Sequence, residues 1–119
     1  MRRVHHDLQV WQLGMTLVKD VYTLTQKFSD SEKFGLCSQM RRAVVSIPSN
    51  IAKGAARTGH REFLHFLSIA RGSLCELETQ LMISKSLSYV ADDSVAMSKI
   101  NELSAKLYAL MNSIKGRKT

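Results

Sequence analysis

Proline is all but missing from this chain of 119 residues, which carries one, at position 48, and aromatic residues make up only 7% of it. All-β folds need more turn punctuation and more aromatic or β-branched side chains than that. Disordered chains need fewer apolar residues than the 45% present here. Cysteine is nearly as scarce. Cys37 and Cys75 are too few for a disulfide framework, and the opening MRRVHHDLQVW lacks the continuous apolar run of a signal peptide. A reducing cytoplasm is therefore the expected compartment. No uncharged run approaches the roughly 20 residues that span a bilayer, so no membrane is expected. Acidic residues are also few, 10 against 17 Lys and Arg, for a formal charge of +7. That balance points to nucleic acid, an anionic membrane or an acidic protein as partner. At this length a single domain, 1–119, can bury a real core.

The most informative stretch runs over residues 36–57, LCSQMRRAVVSIPSNIAKGAAR. At about 100° per residue it separates into two faces. Leu36, Met40, Ala43, Val44, Ile47, Ile51 and Ala55 recur at the three-and-four spacing of a buried stripe. Gln39, Arg42, Ser46, Ser49, Asn50, Lys53 and Arg57 gather on another side, cationic and hydrogen-bonding with no acid among them. Exposed helical faces ordinarily mix charge signs and carry few Ser and Asn. Pro48 lies inside this helix, where it removes a backbone hydrogen bond and predicts a kink. Ser46, Ser49 and Asn50 surround it. Their two readings are repair of the carbonyl freed at Val44 and contact with an anionic partner; repair does not account for Arg42, Lys53 and Arg57.

Taken in order, the chain predicts four helices, over 7–28 with Asp7 as N-cap, 32–57, 60–87 and 93–114, followed by a basic frayed tail, 115–119. The first helix carries two apolar stripes, one of Leu8, Trp11, Met15, Val18 and Tyr22, the other of Val10, Leu17, Val21, Leu24 and Phe28. One bundle core needs only one stripe. Either the helix is buried between two neighbours, or the second stripe, from Val10 to Phe28, meets another subunit. The third helix has a seam of Phe63, Leu67, Ala70, Leu74, Leu77 and Leu81, with Gly72 and Ser73 expected to admit a close neighbour and Glu78 to neutralise an arginine. The fourth has Ala96, Ile100, Leu103, Leu107, Leu110 and Ile114. Short connections imply an all-α, antiparallel, up-down-up-down four-helix bundle.

No constellation in the sequence supports an enzyme, a cofactor or a metal site. There is no P-loop, no glycine pattern following a strand, and no HExxH. His60 and His65 are five apart and share no helical face, and Cys37 and Cys75 read as small core residues. What remains is cationic surface. From Arg41 to Arg71 there are six Lys or Arg against one acid, Glu62, and His60 and His65 add donors that strengthen at lower pH. Arg42, Lys53 and Arg57 span roughly 22 Å of helix. The candidate nucleic-acid contacts are thus Arg42, Lys53 and Arg57 on phosphates, Arg41, Arg61 and Arg71 contributing field, and Ser46, Ser49 and Asn50 as neutral donors. Few aromatics are left exposed for stacking, which favours backbone or shape recognition.

Several segments carry a resemblance: Asp7-Leu8 with Val10-Trp11, Phe34-Gly35-Leu36, Gln39 with Arg41-Arg42-Ala43, and Ser46-Ile47-Pro48-Ser49-Asn50-Ile51-Ala52 with Gly54 and Arg57. It continues through Glu62-Phe63, Phe66-Leu67, Ile69-Ala70, Gly72-Ser73-Leu74 and Glu76-Leu77-Glu78-Thr79-Gln80-Leu81. Together they resemble the four-helix-bundle proteins encoded in intervening sequences of bacterial 23S rRNA genes. The resemblance implies a homopentameric barrel, which would give the spare stripe its partner. It also implies kinship with the accessory variability proteins of diversity-generating retroelements, basic pentamers that bind nucleic acid and a reverse transcriptase. Lys53 stands where that family usually has Glu, making this face more cationic. Two functions follow as expectations: a non-enzymatic bundle that binds structured RNA or an RNA–DNA hybrid, or an adaptor that docks on a reverse transcriptase. A third reading lays the first helix on an anionic membrane.

Overall fold

The computed structural model describes residues 2–116, which form four α-helices and no strand. The helices are α1 (Gln9–Thr25), α2 (Leu36–Ala55), α3 (His60–Ser86) and α4 (Ser94–Lys115), and single 3-10 turns cover Val4–Asp7 and Asp30–Glu32. α1 packs on α2, α2 on α3, α3 on α4 and α4 on α1, an arrangement compatible with a four-helix bundle. Of the basic tail over 115–119, residues 117–119 lie outside the described residues.

α3 and α4 run close to their expected spans, although neither N-cap residue, Gly59 or Asp93, makes a side-chain cap bond. The Asp92 carboxylate accepts the Ser94 N–H at 2.9 Å and so starts α4. α1 and α2 are shorter than the periodicity predicts. Asp7 does not cap α1: Arg2 takes its carboxylate at 2.6 and 2.8 Å, and α1 begins after Leu8 with no side-chain cap. α1 stops at Thr25, and α2 begins four residues later than predicted, after a 3-10 turn whose Glu32 carboxylate reaches forward to the Leu36 N–H at 3.2 Å.

The core comes from one side of each helix. Met40, Val44, Ile47 and Ile51 of α2 meet Leu67, Leu74, Leu77 and Leu81 of α3 and Ile100, Leu103, Leu107 and Ile114 of α4, all almost wholly buried. α1 overturns the expectation for its two stripes. Val10, Leu17, Val21 and Phe28 are 3%, 0%, 1% and 9% exposed inside the single chain, and Leu24 packs half-buried against them. They cannot be the subunit contact, because they are α1's share of its own core. The other stripe lies outward, with Met15 and Tyr22 exposed and Leu8, Trp11 and Val18 half-buried. Compact Val and Leu side chains fit between α2 and α4, whereas Trp and Tyr keep a polar tip near water.

Two close approaches set the spacing around α2. Gly14 of α1 faces the Pro48 ring, where an added Cβ would lie 3.4 Å from two ring carbons. Pro48 thus serves as a packing surface inside a helix that continues past it. The expected repair of the Val44 carbonyl does not occur: the Ser49 hydroxyl donates to Val45 O and the Asn50 amide to Ser46 O, both at 2.8 Å. Gly54 is tighter still, since a Cβ there would lie 2.9 Å from Phe63 Cδ1 and from Phe66 Cβ and 3.2 Å from a backbone oxygen of α3. Gly72, expected to admit a neighbour, has open space around it; Ser73 does touch α2, with its hydroxyl 2.9 Å from that of Ser46.

The opposite end of the fold is tied by Glu32. The Tyr89 hydroxyl donates to its second carboxylate oxygen at 2.8 Å, and the Tyr89 ring lies 5.5 Å from that of Phe28. This joins the α3–α4 connection to the start of α2.

Two tests follow from these contacts. Gly54→Ala should destabilise by about 1–3 kcal/mol, the usual range for overpacking, because backbone as well as ring atoms must move. Gly72→Ala fills open space in a helix interior and should be neutral or stabilising by up to about 1 kcal/mol. Urea midpoints at unchanged slope would separate the two. Glu32 offers a pH test. The Tyr89 hydroxyl first, and the Leu36 N–H second, hold its carboxyl below the usual range. A depressed folded pKa stabilises above the unfolded value and is lost as pH falls through the folded one. Tyr89→Phe should therefore be less stable than wild type at about pH 7, with the gap closing by about pH 3. A gap that stays constant in urea melts would mean that the bond does not couple to folding.

Candidate nucleic-acid interface

The polar face of α2 separates into side chains that are engaged within the chain and side chains that are free. Asn50 is buried, 9% exposed, and its amide donates to both the carbonyl and the hydroxyl of Ser46, at 2.8 and 2.9 Å. The Ser46 hydroxyl also contacts that of Ser73 on α3, and Ser49 donates to its own helix at Val45. These three were expected as neutral donors to a partner, and they serve the α2–α3 contact and the backbone around Pro48 instead. Ser and Asn beside a proline have backbone carbonyls within reach, and a buried amide must be satisfied.

Arg41, expected to contribute field, is also engaged within the chain. Its guanidinium lies 4.4 Å from the Tyr22 ring centre, donates through Nε to Thr25 Oγ1 at 3.0 Å and reaches Tyr22 O at 3.5 Å. Cys37 Sγ donates to the Thr25 carbonyl at 3.9 Å. Arg41 therefore clamps the end of α1 to α2, half-buried, and stacked arginine of this kind is held by packing as much as by charge.

The remaining cations are exposed. Arg42, Lys53, Arg61 and Arg71 form no ion pair or hydrogen bond among the described residues. Arg42 borders a cleft of about 350 Å³ lined also by Gln39, Ser46, Ser73 and Glu76. Arg57 lies over the Phe66 ring at 5.0 Å and 3.6 Å from the Glu62 carboxylate, with both partners open to solvent. Such a pair is weak and readily exchanged for a phosphate. Glu78, expected to neutralise an arginine, pairs with none among the described residues.

Beside this surface lies an apolar one. Tyr22, Phe34 and Val45, with Lys33, Arg41 and Arg42 around them, line a shallow depression of about 610 Å³. Trp11, Met15, Val18, Val45 and Pro48 line another of about 360 Å³. Phe34 is 90% exposed, which no local pattern signals. Cys75, read as core, is exposed, while Cys37 is buried. Among the described residues no three His, Cys, Asp or Glu side chains come together as a metal site, and no helix is long and apolar enough to cross a membrane.

Sequence reasoning about α2 and α3 missed the cations that other elements bring to the same neighbourhood. Lys106 of α4 donates to Gln9 at the start of α1 at 3.0 Å. Arg2 and Arg3 adjoin a 3-10 turn that packs on both α1 and α2. No local signal in the sequence places them there.

No individually curated protein matches the chain at a significant level. The profile of the family described as 23S rRNA-intervening sequence protein matches residues 6–109. That match covers all of α1, α2 and α3 and most of α4, and with it the chain belongs to the 23S rRNA-intervening sequence protein family.

Proposed function

We propose that this protein is a non-enzymatic, basic bundle of up-down-up-down order that binds nucleic acid, structured RNA or an RNA–DNA hybrid, chiefly through phosphates. One observation carries the reading: Arg42, Lys53, Arg61 and Arg71 are exposed without a partner in the chain among the described residues. Cations left unpaired on a protein of net charge +7 attract a polyanion and gain from counterion release when they meet it. The family's description, which concerns a 23S rRNA intervening sequence, supports a connection with RNA at the level of genes.

The exposed apolar face favours a second reading, in which the protein works as an adaptor. Met15, Tyr22 and Val45 are 44%, 38% and 40% exposed and line the adjoining depressions on α1 and α2. Contiguous apolar surface of this kind marks protein contact. Another copy in a homopentameric barrel would fill it, as would a reverse transcriptase of the sort that accessory variability proteins serve.

Fluorescence anisotropy of a structured RNA and a matched DNA duplex, titrated across salt, tests the first reading. Wild type should lose affinity steeply with salt. An Arg42→Glu, Lys53→Glu, Arg57→Glu protein should flatten the log–log slope by roughly 0.7–0.9 or more per lost contact. No binding near physiological salt, or equal binding by the variant, would hand the lead to the adaptor. Sedimentation tests the assembly. Met15→Glu with Val45→Glu should reduce a wild-type oligomer to monomers while leaving helicity intact, and unchanged sedimentation would remove this face as the subunit contact.

A further inference from the structure

Charge is distributed unevenly along the fold. At the end built from the stop of α1, the start of α2 and the α3–α4 connection, acids and bases alternate. Asp20 pairs with Lys99 at 2.5 Å, Asp93 with Lys85 at 3.3 Å, and Glu32 with the Tyr89 hydroxyl. At the other end the start of α1, the stop of α2, the start of α3 and the later part of α4 meet. Three observations show the convergence: the Gly54 approach to Phe63 and Phe66, the Lys106–Gln9 bond, and the depression that Trp11 shares with Ser49 and Ala52.

The groups facing that end are nearly all cationic or able to become so. The N-terminal turn supplies Arg2, Arg3, His5, His6 and Asp7; α2 supplies Lys53 and Arg57. α3 supplies His60, Arg61, Glu62 and His65, and α4 supplies Lys106 and Lys115. Both acids already face an arginine, Asp7 at Arg2 and Glu62 at Arg57. The chain has 4 histidines, and all of them are here. The 27-residue α3 begins here as well, with no side-chain cap at Gly59, and His60 Nδ1 is buried without a partner.

We propose that the phosphate-docking surface is this end of the molecule rather than the length of α2, and that its hold on a nucleic-acid backbone tightens as its histidines protonate. The inference rests on the nucleic-acid reading and assigns it a place. Along α2, Ser46 and Asn50 are engaged with each other and with Ser73, the exposed Ser49 gives its hydroxyl proton to Val45 O, and Glu76 borders the cleft beside Arg42. At the end, Lys53, Arg61 and Lys115, unpaired among the described residues, lie on the last turn of α2, the first turn of α3 and the last turn of α4. The N–H groups and dipole that begin α3 add to a field that favours an anion. The shorter dimensions of the body, 27 and 20 Å, match a stretch of duplex carrying roughly a dozen phosphates.

The histidines sit in different surroundings. His65 is exposed against the Phe66 ring, at 5.3 Å between ring centres. His6 Nδ1 accepts the Arg3 N–H at 3.0 Å. His5 is held below the ordinary histidine range by desolvation first, then by the charges of His6 and Arg3. Each proton gained between about pH 8 and about pH 6 adds a positive charge where a phosphate would lie.

Anisotropy of a labelled RNA hairpin at fixed ionic strength tests both parts. An Arg61→Glu, Lys115→Glu protein, checked for helicity, should bind about tenfold or more weakly, and Arg42→Glu within about threefold of wild type. Wild-type affinity should rise several-fold from about pH 8 to about pH 6, and His60→Gln with His65→Gln should remove most of that rise. If Arg42→Glu is as damaging as the end pair, or wild-type affinity does not change with pH, the end is not the docking surface and the nucleic-acid reading stands. If wild type binds no RNA at either pH, the nucleic-acid reading itself fails.

Discussion

The contact between the backbone of α2 at Gly54 and the start of α3 governs much of this structure. Phe63 and Phe66 reach within a distance that a single methyl group would violate, so the α2–α3 hairpin closes tightly where the chain reverses. That closure brings Lys53 and Arg57 next to His60, Arg61 and His65, and it lays Phe66 under the Arg57 guanidinium. On the other flank of α2, Gly14 admits the Pro48 ring and draws α1 close. α2 is thereby approached from two sides at backbone distance, and its side chains have two different duties. Met40, Val44, Ile47 and Ile51 fill the core, while Ser46 and Asn50 satisfy one another and Ser73.

The polar stripe of α2 shows why composition on a helical wheel overstates a binding face. Angular position identifies residues that share a side, but it does not say whether a third helix covers part of that side. α3 does cover it. A buried Asn must then spend its hydrogen bonds within the protein, and it does so on Ser46. Arginine follows a related rule. Arg41 and Arg42 are neighbours in sequence, yet Arg41 stacks on Tyr22 and bonds to Thr25 while Arg42 stays free. A step of about 100° along the helix decides which of them meets α1.

The error over α1 has the same origin. Its two stripes are of similar hydrophobicity, and periodicity cannot rank them. The choice follows from shape. Val10, Leu17 and Val21 fit a narrow space between α2 and α4, and Trp11, Met15 and Tyr22 are left to line the outer depressions. The expectation of a spare apolar surface therefore holds, while its assignment to particular residues reverses. Asp7 shows competition on a smaller scale, since a carboxylate at a plausible cap position was claimed by Arg2.

Taken alone, the sequence determined the all-α class, the number of helices, nearly all of the core of α2, α3 and α4, the excess of positive charge, and the family, whose profile spans residues 6–109. Each of these rests on short-range periodicity, composition or contiguous motifs, which survive without knowledge of the fold. Tertiary structure alone decided which α1 stripe is core, which polar residues of α2 are engaged, and that Arg2, Arg3, Lys106 and all the histidines share an end with Arg57 and Arg61. The physical reason is that charge and shape act through space. Residues 2 and 106 become neighbours of the same surface only when helices far apart in the chain have packed, and no local pattern in the sequence encodes that distance.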